Sequence, residues 1–344
     1  MVEWNEEKEK QILKKYKSRF SFRLTFKIIR VLVAVFLLYW AYMMVVTISY
    51  HSLSKTGDRV ELYQTLSIDW TYPEVSSEIF AVKKKEITPF LTQKMEIPLE
   101  RTIGKNSYVV SHLQLTKPIF TGMTHSELTR AYPYENGSER FSFYLPIDPI
   151  SGAKLIGNQS FDVWDTLEKI HEGNVADLAF STNAYYSPEQ LLQLLEPYDL
   201  DVLWMPLYMG ELKQFTEGVW GGGDNSIGLY QPWGLAGARV IDTEFKSGYR
   251  INTLTLNTIE ESQGAMLSNI EMMLNKDKKL AEQLLGTSYL QERYDYLKEN
   301  GFQAYGAVVT GPVKELLQLK ELQEIHSGYL GEIKHWNWHE GKYE

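Results

Sequence analysis

From Val31 to Ile48 the chain reads VLVAVFLLYWAYMMVVTI, eighteen residues without a charge. A helix of about 20 apolar residues crosses the hydrocarbon core of a bilayer. Ile28 and Ile29 lengthen the run behind Arg30, whose aliphatic stem can reach back toward the headgroups. A core helix of a soluble protein would show a polar face over such a length. A cleavable signal peptide would not carry a basic lead of 30 residues, and no A-x-A site follows the run. An uncleaved anchor over residues 28–49 is therefore expected.

Charge sets the expected orientation. Residues 1–30 hold nine Lys/Arg against four Glu, whereas the remainder holds 26 basic against 40 acidic residues. Within about fifteen residues after the span only Lys55 and Arg59 are basic. The positive-inside rule places the N-terminus in the cytoplasm and the rest outside, in a single-pass protein of the cell membrane. Topology and membrane lipid account for the basic head, so no direct nucleic-acid binding is expected. In the cytoplasmic segment, residues 1–27, Leu13, Tyr16, Phe20 and Leu24 recur at helical spacing, with lysines on the other face. Two readings stay open: a membrane-flanking helix that continues into the span, or a docking helix for a cytoplasmic partner.

Beyond the anchor, 50–70 reads as a stalk, 71–165 as a β-rich region and 166–344 as an α/β domain, giving an α+β chain. Strand signals fall at Ala81–Val82, which lead into the edge lysines Lys83–Lys85, and at Met95–Leu99, Tyr108–Leu115 and Phe141–Leu145. Phe161–His171 reads as a helix. Asp177–Phe180 is a strand, Ser187-Pro-Glu-Gln190 has the composition of a helix start, and Asp201–Met205 is a second strand. Phe302–Val309, Gly311-Pro312 with its leucine-rich sequel, and Ile325–Ile333 repeat that order. Two β-α-β units of this kind make a ferredoxin-like sheet with both helices on one face. Between them lie a Gly-rich loop (Trp220–Gly228), strands near Arg239–Thr243 and Ile251–Leu256, and helices over Leu267–Leu285 and Tyr289–Asn300. Met272 and Met273 read as core.

Catalytic signatures are few. With no cysteine there is no disulfide, thiolate metal site or thiol nucleophile. Phosphate-loop, nucleophile-elbow, H-E-x-x-H and dinucleotide patterns do not occur. Gly221–Asp224 reads as a turn. His335 and His339 have i, i+4 spacing on a terminal segment where extended backbone competes with helix. Asn136 and Asn158 begin glycosylation patterns that matter only on a eukaryotic secretory route. Pro312 removes a donor that an anion site at Gly311 would need. No catalytic, cofactor or metal site is expected, although a triad assembled from distant positions stays open.

The basic lead and span (Lys14–Tyr50), the stretch VADLAFSTNAYYSPEQLLQLLEPYDLDVLWMPLY (Val175–Tyr208) and YGAVVTGPVKELLQL (Tyr305–Leu319) together resemble the sigma factor regulator family of Gram-positive bacteria. The resemblance implies a membrane-anchored anti-sigma factor that regulates an extracytoplasmic-function sigma factor by protein contact and is not an enzyme. It implies a sigma factor as cytoplasmic partner, or a second membrane protein that helps, and an exported sensory or partner-binding domain. Many anti-sigma factors carry a His-Cys-Cys zinc motif in the cytoplasm. A cysteine-free head leaves the contact to Leu13, Tyr16, Phe20 and Leu24. An envelope hydrolase and an envelope assembly protein are the competing expectations.

Overall fold

The computed structural model describes residues 6–53, 55–77, 84–119, 125–130, 141–157, 162–221, 225–242, 245 and 247–336. The expectations on Ala81 and Val82, both Asn-x-Ser sites, the centre of the Gly221–Asp224 turn and His339 lie outside these residues. The chain divides into two units, Met1–Lys55 and Thr56–Glu344.

The first unit is a single helix. No Gly or Pro interrupts α1 (Glu6–Thr47), and Glu6, Glu7 and Glu9 in its first turn suit the positive end of the helix dipole. A π-helical turn, Ile48–Leu53, follows. Among the described residues this is the helix long and apolar enough to cross a membrane.

The second unit begins with a helix where a stalk was expected. Twelve of the sixteen residues of α2 (Thr56–Thr71) are buried. Its sequence, TGDRVELYQTLSIDWT, has polar residues on every face, so the apolar-stripe criterion misses it. Several of its buried polar groups find partners. Thr65 and Thr71 donate to the carbonyls of Glu61 and Ser67. Asp69 accepts from Arg239 Nε at 2.7 Å, and the Trp204 indole donates to the Asp69 carbonyl at 3.1 Å.

A first sheet covers one side of α2. It contains β1 (Ser76–Ser77), β2 (Lys84–Ile87), β3 (Thr92–Ile103), β4 (Asn106–Pro118) and β5 (His125–Arg130). β3 pairs with β4, β4 with β5, and β1 and β2 share the outer edge of β3, all antiparallel. Alternate residues Ile97 and Leu99 of β3, with Leu113 of β4, pack on Ile68 of α2. Of the expected lysine edge, Lys83 lies outside the described residues, Lys84 and Lys85 begin β2, and the Lys85 ammonium bonds Asp58 (2.5 Å) and Glu61 (2.9 Å) of α2. Burial opposes that charge, but the two carboxylates prevail and raise the lysine pKa.

After α3 (Asp162–Lys169) the repeated pattern forms the second sheet. Its strands are β6 (Asn174–Tyr186), β7 (Asp201–Tyr208), β13 (Gln303–Pro312) and β14 (Ile325–His335). Between β7 and β13 run β8 (Val219–Gly221), β9 (Ile227–Leu229), β10 (Trp233–Ala236), β11 (Arg239–Ile241), β12 (Ser247–Arg250), α5 (Ile259–Leu285) and α6 (Leu290–Asn300). The spatial order is β14-β6-β13-β7-β10, with every neighbour antiparallel. Counting only the repeated strands, this is the 4-1-3-2 order of a ferredoxin-like sheet, with β10 added at one edge. The central strands β6 and β13 are buried on both faces, which explains their unbroken apolar runs. Helices α4 (Pro188–Leu195) and α7 (Val313–Gln318) both pack on these two strands. At α4, Ser187 Oγ accepts from the Gln190 amide and Gln190 Oε1 accepts from the Ser187 amide, a complete capping box.

Two smaller expectations change. Residues 251–256 are not a strand: β12 precedes them, and they touch β7 only through the Val202–Leu254 bridge. Phe141–Leu145 is buried but irregular, bridging Gly228 through Tyr144. The kink of α5 falls at Asp277, whose φ/ψ of −162°/73° leave the helical range. Met273 is core, and Met272 packs against it.

Buried arginines tie the layers. Arg101 of β3 bonds Asp177 of β6 at 2.6 Å, both almost wholly buried. The Glu332 amide donates to the other oxygen of Asp177 at 2.7 Å. The bulge of β14 beside Gly331 makes room for this pair, because a Cβ at 331 would overlap Arg101 Nη2 and Asp177 Oδ1. Arg239 completes its bond to Asp69 by donating to the Ser77 carbonyl at 2.7 Å.

Removing one partner of a buried pair leaves an uncompensated charge, at a cost of about 3–5 kcal/mol. Asp69→Ala is expected to destabilise the second unit by that amount. Asp69→Leu combined with Arg239→Met should recover most of it, measured by denaturant unfolding in detergent. His326 gives a pH signature. Burial lowers its pKa below 6.5. The unfolded chain therefore takes up a proton first as pH falls through 6.5, and the residue subtracts stability below that point. The loss of melting temperature between pH 7.5 and 5.5 should be smaller in His326→Leu.

Candidate partner-binding site

The site residues expected from sequence all lie on α1. At about 100° per residue, Leu13, Tyr16, Phe20 and Leu24 fall within an arc of about 80°. Their relative exposures are 60, 75, 69 and 49%, so the stripe has no cover among the described residues. Leu13, Tyr16 and Phe20 line a shallow depression bordered by Lys14 and Lys17. Ile12, Phe22 and Phe26 are also exposed on other sides of the helix. An apolar stripe flanked by ammonium groups suits a groove with an apolar floor and an acidic rim.

The second unit carries a cleft of about 430 Å³ lined in part by Asp69, Glu74, Glu100, Trp204, Arg250 and Asn252. Sequence reasoning gave no sign of it, because its walls come from α2, the β3–β4 hairpin and the β7–β10 edge. Its polar groups are largely committed to structure. Asp69 holds Arg239, Glu74 accepts from the Phe141 amide at 2.6 Å, and Arg250 donates to the Ser77 carbonyl at 2.7 Å.

A second buried cluster surrounds Arg293, which bonds Glu211 and, at 2.6 Å, Glu217. The guanidinium stacks 4.8 Å from the ring centroids of both Phe215 and Trp233. Tyr185, Tyr208, Tyr296 and Tyr305 crowd the same region. Burial is the main force that raises the phenol pKa of each, with the negative charge of Glu211 adding to it. These groups stay neutral at any physiological pH and act as packing. Among the described residues no three His, Asp or Glu side chains converge as metal ligands.

A long apolar helix with a basic, apolar-striped head, joined to a body whose buried ionisable groups hold its layers together, fits a membrane-anchored regulator. The comparisons agree. Residues 10–110 match the sigma factor regulator N-terminal model and residues 167–332 the sigma factor regulator C-terminal model, and the chain belongs to the sigma factor regulator family. The N-terminal match runs past the anchor through α2 and β3. The C-terminal match spans α3 to β14. The chain is also 24% identical over 286 residues to the probable anti-sigma-M factor YhdL of Bacillus subtilis (strain 168), covering 83% of this chain and 71% of that protein. No solved structure matches the chain.

Because the stripe is exposed, truncating it removes no packing. Leu13→Ala and Phe20→Ala should leave the unfolding free energy of the second unit within about 0.5 kcal/mol of wild type.

Proposed function

We propose that this chain is a single-pass anti-sigma factor. Its head, residues 1–27, lies in the cytoplasm and holds a sigma factor of the extracytoplasmic-function class at the membrane, and its folded body lies outside and reports on the envelope. The observation that carries this reading is the uncovered stripe Leu13-Tyr16-Phe20-Leu24 on a helix that continues into the anchor. The family match and the name of the Bacillus relative support a sigma factor as the partner.

The mode fits a helix seated in a groove. One face of about 22 residues buries less than the roughly 1,200–2,000 Å² of a stable complex. The partner therefore closes around the helix, and Ile12, Phe22 and Phe26 supply apolar surface on the remaining sides. Alternatively, a second membrane protein completes the contact. A continuous helix allows this directly: Val31, Val35, Leu38 and Tyr42 continue the arc of Leu13 and Leu24 into the anchor at helical spacing.

The test removes residues 1–27, keeps the anchor and measures transcription from promoters of the candidate sigma factor. The deletion should raise transcription, and the double variant Leu13→Asp/Phe20→Asp should do the same at unchanged membrane abundance. Wild-type transcription in both, with no sigma factor recovered by pull-down of the intact chain, would sink the reading. A reporter after Glu344 that is active only in the cytoplasm would overturn the orientation.

A further inference from the structure

The turn between β2 and β3 ends in Phe90, at 89% the most exposed large apolar side chain of the second unit. Three contacts fix where this tip points. Ile68 near the end of α2 packs on Ile97 and Leu99. Asp58 and Glu61 near its start meet Lys85, opposite Met95. The antiparallel run of α2 along β3 therefore carries the tip at 88–91 past the start of α2, where the chain arrives from the anchor.

The kink of α5 reaches the same end. Tyr63 Oη lies 3.9 Å from Met272 Sδ, and the Asp277 carboxylate interacts electrostatically with Tyr63 and Lys117. Lys117 in turn pairs with Gln93, three residues from Phe90. Lys94, Lys276, Lys278 and Lys279 are exposed here. Most nearby carboxylates are engaged, Asp58 and Glu61 by Lys85, Glu282 by Lys278 at 3.6 Å and Asp277 by the Leu280 amide, while the exposed Glu86 stands opposite Lys94 across the β2–β3 pair. Lys94, Lys276 and Lys279 make no ion pair among the described residues. An exposed aromatic at the same end as several lysines without ion pairs among the described residues is unexpected on a body that carries 26 basic against 40 acidic residues beyond position 30.

Chain length says what covers this end. If the anchor ends near residue 49, α2 starts seven residues later, at most about 25 Å from the hydrocarbon even if the connection were fully extended. We infer that this end of the body rests on the bilayer, with Phe90 in the headgroup layer and Lys94, Lys276 and Lys279 on the phosphates of anionic lipids. The inference depends on the anchor and is independent of the protein bound by the head.

The absence of native cysteine allows a clean test. A fluorophore is attached to Phe90→Cys or, as control, to Lys105→Cys at the other end of β3, about 40 Å away along the strand. The full chain is placed in nanodiscs of phosphatidylcholine alone or with equal phosphatidylglycerol, and quenching by spin-labelled lipid is compared. Position 90 should be quenched several-fold more than position 105, and more strongly with phosphatidylglycerol. Lys94→Glu/Lys276→Glu/Lys279→Glu should abolish the phosphatidylglycerol increment while leaving the melting transition in place. Equal quenching at 90 and 105 overturns the inference. So does shielding of position 90 from aqueous quencher without lipid quenching, which signals a protein contact. An increment that survives charge reversal overturns the role of the lysines.

Discussion

The second unit depends on burying a helix that has no apolar face of its own. α2 carries Gln64, Thr65, Ser67, Asp69 and Thr71 into the interior, and an unpaired polar group there costs more than a hydrogen bond returns. Trp204 and Arg239 supply partners at its C-terminal turn. Trp204 turns its indole to the Asp69 carbonyl, and Arg239 bridges the Asp69 carboxylate to Ser77, so β7, β11 and β1 are all held by one turn of helix. That turn also stacks Trp70 against Trp233 at 5.8 Å between ring centroids. The sheets meet around α2 because it cannot be buried without them.

The buried charges share a logic of specificity. Burying an ion pair costs several kcal/mol of desolvation, which its own attraction roughly offsets, so such pairs add little net stability. They penalise wrong arrangements heavily. Arg101 reaches Asp177 only if the β3–β4 hairpin docks in one position on β6, a position also marked by the Gly104 amide donating to Thr310 Oγ at 2.7 Å. A lysine in place of Arg239 could not bond a carboxylate, a carbonyl and a hydroxyl from a planar fork. Each arginine thus selects one docking of elements far apart in sequence.

This division explains what could be read in advance. The second sheet was legible because its signals are local: continuous apolar runs for twice-buried strands, a Ser-Pro-x-Gln helix start, and the same order written twice. The spacing of Leu13, Tyr16, Phe20 and Leu24 could be read because a helix sets its side chains at about 100° per residue. α2 was not, since its burial depends on Arg239 and Trp204, more than 130 residues away. The strand expected at 251–256 failed for a related reason. The apolar signal of Ile251 and Leu254 is real, but it serves one bridge and side-chain burial, while the ladder forms earlier at Ser247–Arg250. The cleft, with walls from α2, β1, β3, β4, β7, β10 and β12, has no local signature.

Continuity of the helix has a mechanical consequence. At 1.5 Å per residue, the 42 residues of α1 span about 63 Å, roughly twice the hydrocarbon thickness. The head is therefore not hinged within the described helix, and the direction faced by Leu13, Tyr16, Phe20 and Leu24 is fixed by the rotation of the anchor. A turn of the anchor about its axis turns the stripe through the same angle, and a shift by one helical residue turns it by about 100°.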